Sequence, residues 1–237
     1  MKIEISPKTV LTKLLYVIFF LLFANILGVV TKINFGQETL RMLVLLFDFD
    51  TEVNIPSLYS SFALVISSIL LMIIAINHRR KGSTQLYWFG LSLIFLFLSV
   101  DEIASVHERI SLLIGQILDT SGIFYYAWTI PYGLALVVFV AIYTKFLIDL
   151  PRRIMFLFVF SGVTYVSGAI GFEMLGGRHA ELYGEANLIF CIYYTCEEFL
   201  EMLGIAFFIH ALLSYMASEF QLLTITINDN KCQKISS

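Results

Sequence analysis

Tyr193-Tyr194-Thr195-Cys196-Glu197-Glu198-Phe199-Leu200-Glu201-Met202-Leu203-Gly204 places three carboxylates inside an apolar stretch running from Ala186 to Met216. That stretch exceeds the roughly 20 residues a helix needs to cross a bilayer core of about 30 Å. An acid at the centre of a spanning helix costs roughly 3 kcal/mol even on insertion scales, so such residues are partnered inside the protein and mark function. At 100° per residue, Asn187, Tyr194, Glu197, Glu198, Glu201 and Gly204 share one face, and the Phe- and Ile-rich positions take the other. One face meets protein and the other lipid, which requires a bundle.

The whole chain agrees. Its 237 residues are 59% hydrophobic and 14% charged, with a mean hydropathy of +0.86, outside the soluble globular class. Six stretches are long enough to span, approximately 10–30, 56–77, 86–113, 126–147, 154–175 and 186–216. The expected fold is an all-α integral membrane protein, a single domain over 1–237 built as a bundle of six transmembrane helices. The first stretch lacks a small-x-small cleavage site and is read as a retained span. The tail after Glu219 reads as frayed.

Basic residues set the orientation. With the N-terminus inside, Lys2, Lys8, Lys13, Arg79, Arg80, Lys81, Lys145, Arg152, Arg153, Lys231 and Lys234 fall on the cytoplasmic side, against Lys32, Arg41, Arg109 and Arg178 outside. The division is 11 against 4 of the 15 basic residues, and it places both termini in the cytoplasm. The membrane expected is of the bacterial inner or plasma type, with the acidic site facing the extracytoplasmic side. A net charge of −3 and no basic run longer than His78-Arg79-Arg80-Lys81 exclude nucleic acid as a partner. Three cysteines without a CxxC pair provide neither a disulfide framework nor a thiolate metal site.

Three spans bring acids to the outer half. Counting from the interfacial Trp88, Asp101 lies 13 residues on, about 20 Å up the third span, with Glu102 beside it and His107, Glu108 and Arg109 at the boundary. On a continuous helix, Asp101, Ser105 and Glu108 share a stripe and His107 points away from it. Glu173 ends the fifth span and is followed by an expected loop, Gly176-Gly177-Arg178-His179-Ala180-Glu181. Glu197, Glu198 and Glu201 complete the set from the sixth. So many acids cannot all ionise without protonation, pairing to arginine or a bound metal ion.

The expected chemistry is a membrane enzyme holding one or two divalent metal ions and acting on a lipid or other amphipathic small molecule. Asp101, Glu102, Glu173, His179, Glu198 and Glu201 are the expected metal ligands. Glu197, His107, Arg109 and Arg178 are the expected catalytic residues, with His179 or His107 an additional ligand or the proton carrier and Arg178 or Arg109 the contact to an anionic headgroup. The ligand types resemble those of di-metal carboxylate sites in helical bundles, although their Glu-x-x-His spacing is missing. Two other classes use the same glutamates, a proton or cation translocator and a non-catalytic assembly subunit. Glu197-Glu198 resembles the opening of the glutamate motif of CAAX-type intramembrane proteases, but Met202 stands where that motif has Arg, and this class is set aside. Asp48, Asp50 and Glu52 alternate as in a calcium loop yet lack the EF-hand Gly and Glu. A looser cation site there competes with a turn-capping role for Asp48 and Asn54.

Overall fold

Apolar stretches of this length satisfy their backbone groups in lipid only as helices, and in the computed structural model, which describes residues 6–35, 41–78 and 84–220, all regular structure among those residues is helical. The helices are α1 (Pro7–Phe35), α2 (Arg41–Phe47), α3 (Ile55–His78), α4 (Thr84–Ala104), α5 (Val106–Gly115), α6 (Thr129–Ile148), α7 (Arg152–Val166), α8 (Glu173–Tyr183) and α9 (Leu188–Glu219). A 3₁₀ turn at Gly122–Phe124 precedes α6, and a π-helical segment at Ser167–Phe172 joins α7 to α8. Six helices, counting Arg152–Tyr183 as one, are long and apolar enough to cross a membrane. Arg79-Arg80-Lys81, Lys2, Lys231, Lys234 and the tail beyond Phe220 lie outside the described residues.

Local chemistry sets the helix ends. Asn54 Oδ1 accepts from Ser57 N at 3.1 Å while Ser57 Oγ accepts from Asn54 N at 2.9 Å, a reciprocal cap that starts α3, with Pro56 in its first turn. Asn187 Oδ1 accepts from Phe190 N at 3.0 Å and caps α9. Gly184, at φ 75°, ends α8 in a conformation that other residues rarely take.

Helix α9 is the hub, touching α1, α3, α7, α8 and the π segment. Helices α3 and α4 are clasped by two serine pairs: Ser61 and Ser99 each donate to the other's carbonyl, as do Ser68 and Ser92. Small side chains admit this close approach, and hydroxyl donors find partners inside the pair. Half of the bundle is sealed by a cluster that includes Leu71, Ile74, Trp88, Tyr143, Phe146, Phe158, Leu212 and Tyr215. Within it Phe95 stacks on Phe208 at 4.4 Å. The outward faces remain apolar, as at Phe20, Phe62, Val137 and Phe160, and suit a lipid surround.

Two elements differ from the expectation. The third span is not continuous over 86–113: α4 stops at Ala104, Ser105 adopts φ 49° and ψ 46°, and α5 leaves in a new direction. The segment Gly176–Glu181 is not a loop, because α8 continues through it to Tyr183. The helix continues because nothing breaks it before Gly184, and Gly176 and Gly177 are buried against Tyr193 and Tyr126 rather than turning the chain.

Candidate functional site

The end of α4, the starts of α3, α6 and α9, and α8 meet at one end of the bundle. There the break at Ser105 decides the geometry. A continuous helix would carry His107 away from Asp101, whereas the left-handed residue folds the chain back. His107 N donates to Asp101 Oδ1 at 2.8 Å, and His107 Nδ1 lies 3.2 Å from the same oxygen. A carboxylate accepts, so Nδ1 carries the proton and Nε2 is directed elsewhere. Nε2 faces Glu52 Oε1 at 3.3 Å. Asp101 Oδ2 accepts from Tyr132 Oη at 2.9 Å, and the Trp128 ring packs on the imidazole at 5.0 Å between centroids.

Among the described residues, Glu52, His107 and Glu108 form the group of three that offers ligand atoms all within 4.8 Å of one another. Glu52 reaches this point because the turn after α2 bends sharply, with Val53 at φ 60°. A β-branched residue rarely takes that conformation, and such strain concentrates at functional sites. Glu52 Oε2 is buried with no hydrogen-bond partner among the described residues. Burial, the dominant cause, pushes the Glu52 carboxyl up to about 7, against the lowering effect of His107. Burial also works against the charged imidazole, but the hydrogen bond to Asp101 and the nearby carboxylates outweigh it and raise the pKa of His107.

Behind this trio lies the rest of the acidic set. Glu102 is within electrostatic range of Glu198, Glu201, Glu52 and Asp101, and Glu198 within range of Glu52, His107 and Glu173. Glu173 accepts from Trp128 Nε1 at 2.8 Å and is hydrogen-bonded to Glu197. The Tyr165 hydroxyl meets Glu201. The π segment makes this possible by letting α7 lie directly on α9. A Cβ on Gly168 would stand 2.6 Å from the Glu197 carbonyl oxygen, and one on Gly204 2.7 Å from Tyr165 Cβ. π segments recur at such sites.

The structure thus brings Asp101, Glu102, Glu173, Glu197, Glu198 and Glu201 together, with His107 among them. His179 stands apart from that set: its Nε2 lies 2.8 Å from Asn187 Oδ1, between the rings of Tyr183 and Tyr193. Arg109 and Arg178 are exposed and close no ion pair among the described residues. Asp48 and Asp50 share Lys32, each at 3.5 Å. Asp48 also accepts from Asp50 N, and Asn54 donates to the Asp48 carbonyl. Turn-building and an ammonium ion account for these two acids, and Glu52 parts from them to join His107.

Glu52, Trp128, Tyr132 and Tyr165 were not singled out from the sequence as members of this site. Trp128, Tyr132 and Tyr165 are polar-tipped aromatic side chains close to or within spans, which a count of charges overlooks, and Glu52 reads in the sequence with Asp48 and Asp50. No curated protein and no solved structure matches the chain. A family model matches residues 11–215, and the chain belongs to that family, described as a domain of unknown function (DUF8692).

Proposed function

We propose that this protein is a metal-dependent membrane enzyme acting on a lipid or other amphipathic substrate, with Glu52, His107 and Glu108 as the protein ligands of a divalent ion. The observation that carries this is the convergence of those three ligand atoms. Ligands held at about 2.1 Å in a tetrahedral array stand roughly 3.4 Å apart, and the separation of Glu52 Oε1 from His107 Nε2 is 3.3 Å. The second oxygen of the same carboxylate, Glu52 Oε2, is buried without a hydrogen-bond partner among the described residues. Two carboxylates and one imidazole suit zinc, manganese or ferrous iron.

Asp101 is the positioning residue. It fixes the tautomer and orientation of His107 as second-shell carboxylates do for metal-bound histidines, and Tyr132 holds it in turn. This reassigns Asp101 from ligand to orienting group. A bound divalent ion would supply polarisation of a scissile group and activation of water. Glu198, within electrostatic range of Glu52 and His107, and Glu102, within range of Glu52, would take up or release the proton of an attacking water, and Glu173 with Glu197 would pass it on. The amphipathic substrate is supported by exposed apolar side chains on the elements that carry the ligands: Val53 follows Glu52 in the chain, and Leu112 and Leu113 lie on α5 with His107 and Glu108. Arg109, next to Glu108 on α5, and Arg178, on α8, are both exposed and available to an anionic headgroup.

A translocator using the same acids is less well supported, because among the described residues an aromatic cluster that includes Trp88, Tyr143, Phe146, Phe158 and Tyr215 packs the other half of the bundle.

Elemental analysis of the purified full chain tests the metal. One or two equivalents are expected in the wild type and at least one fewer in His107→Ala. Absence of stoichiometric metal, with thermal stability unchanged by chelator, would refute the proposal.

A further inference from the structure

The opposite end of the bundle holds a second feature that the acidic site does not use. Between the first turns of α1 and α7 and the last turns of α9 lies a cavity of about 530 Å³. It is lined by Lys8 and Arg153, by the hydroxyls of Ser6, Ser214 and Ser218, and by His210, with no carboxylate. Neither Lys8 nor Arg153 closes an ion pair among the described residues. Among the described residues, two cations from different helices therefore line one concave space without a partner carboxylate, at the end that the basic residues assign by sequence to the cytoplasm.

His210 has a different part. Its Nδ1 lies 3.2 Å from the Pro7 carbonyl oxygen, which only accepts, so the ring donates there and ties α9 to the start of α1. That tether fixes Lys8 relative to Ser214, whose half-buried hydroxyl has no partner among the described residues. The cavity floor is apolar, at buried Ile154. Cationic rim, free hydroxyl and apolar floor together match a group that is anionic on one side and hydrocarbon on the other. Basic pockets between helices at this level of a membrane bind phosphate-bearing headgroups. The volume falls in the range of small-ligand sites, a few hundred Å³.

We infer that this cavity between α1, α7 and α9 binds a phosphate-bearing anion, held by Lys8, Arg153 and Ser214. The chemistry is shared by an anionic lipid headgroup and by free phosphate, and the test separates them. Thermal unfolding of the full chain in detergent is followed while adding phosphatidylglycerol, phosphatidylcholine or inorganic phosphate. Phosphatidylglycerol is expected to raise the unfolding midpoint and phosphatidylcholine to leave it unchanged. The Lys8→Gln/Arg153→Gln double variant should need roughly thirtyfold more phosphatidylglycerol for the same shift. Lys8→Arg/Arg153→Lys should respond as wild type. A shift with inorganic phosphate alone, lost in the double variant, keeps the site and identifies a soluble anion as its ligand. A double variant that responds like wild type, or an equal response to phosphatidylcholine, overturns the inference. Both cationic side chains are exposed, so their loss does not threaten folding, which the unliganded midpoint reports.

Discussion

At the scale of single residues, Asp101 is the most informative position. It accepts from the His107 amide, the His107 ring and Tyr132 with two oxygens, so both oxygens are engaged. Asp101→Asn keeps the volume but replaces one acceptor with a donor, which opposes either Nδ1–H or the tyrosine hydroxyl. Loss of such an orienting carboxylate typically weakens metal binding 10- to 100-fold, and that loss is expected here in a metal titration monitored calorimetrically, while the helical circular dichroism stays unchanged. Asp50 provides a pH test away from the histidine. Burial pushes its carboxyl up to about 6, although Lys32 pulls it back down. A folded-state pKa above the unfolded one means that the folded chain binds the proton more tightly. Its contribution to stability is complete below about pH 4 and is lost as pH rises through about 6. In the apo protein, Asp50→Asn should flatten the change in unfolding midpoint between those pH values relative to wild type. An identical pH profile would show that the carboxyl does not titrate there.

At the scale of elements, the contact between α7, the π segment and α9 positions Tyr165 on Glu201. Two glycines permit it. Gly168→Ala would press a methyl into the Glu197 carbonyl, and overpacking of this kind costs about 1–3 kcal/mol. Gly162→Ala, one and a half turns earlier where nothing lies within 4 Å, should be neutral or stabilising by up to about 1 kcal/mol through helix propensity. Thermal unfolding of the two variants compares them directly, and equal effects would mean that the close approach at Gly168 is not a constraint. The same pair shows how far the sequence could be read. Six apolar spans were visible, because length and hydropathy determine them. The glycine that makes contact was not visible, since the π segment rotates the helix after Val166. The break at Ser105 was hidden for a related reason: neither proline nor glycine marks it, and the residue sits in a left-handed conformation that only tertiary contacts such as His107 to Asp101 sustain. With the helix taken as continuous, His107 necessarily pointed away, and the part of the site built on it, including Glu52 from a segment 55 residues earlier, could not be assembled.

At the scale of the whole molecule, the two ends are chemically opposed. One gathers Glu52, Asp101, His107 and the α9 glutamates; the other carries Lys8 and Arg153, which close no ion pair among the described residues, next to an aromatic core. This polarity is what the charge-based orientation rests on, because basic residues near span ends resist translocation while acids hardly influence it. The orientation makes a prediction that is independent of any catalytic activity. With Cys191, Cys196 and Cys232 replaced by serine, a single cysteine is placed either at Arg178, exposed on α8, or at Ser218, exposed near the end of α9. In intact cells a membrane-impermeant maleimide should label the Arg178→Cys protein and leave Ser218→Cys unmodified until the membrane is permeabilised. Labelling at both positions in intact cells would indicate dual insertion. The reverse pattern would turn the acidic site toward the cytoplasm, where its substrate would have to come from the inner leaflet, and would move the basic cavity to the side on which anionic lipid is scarce.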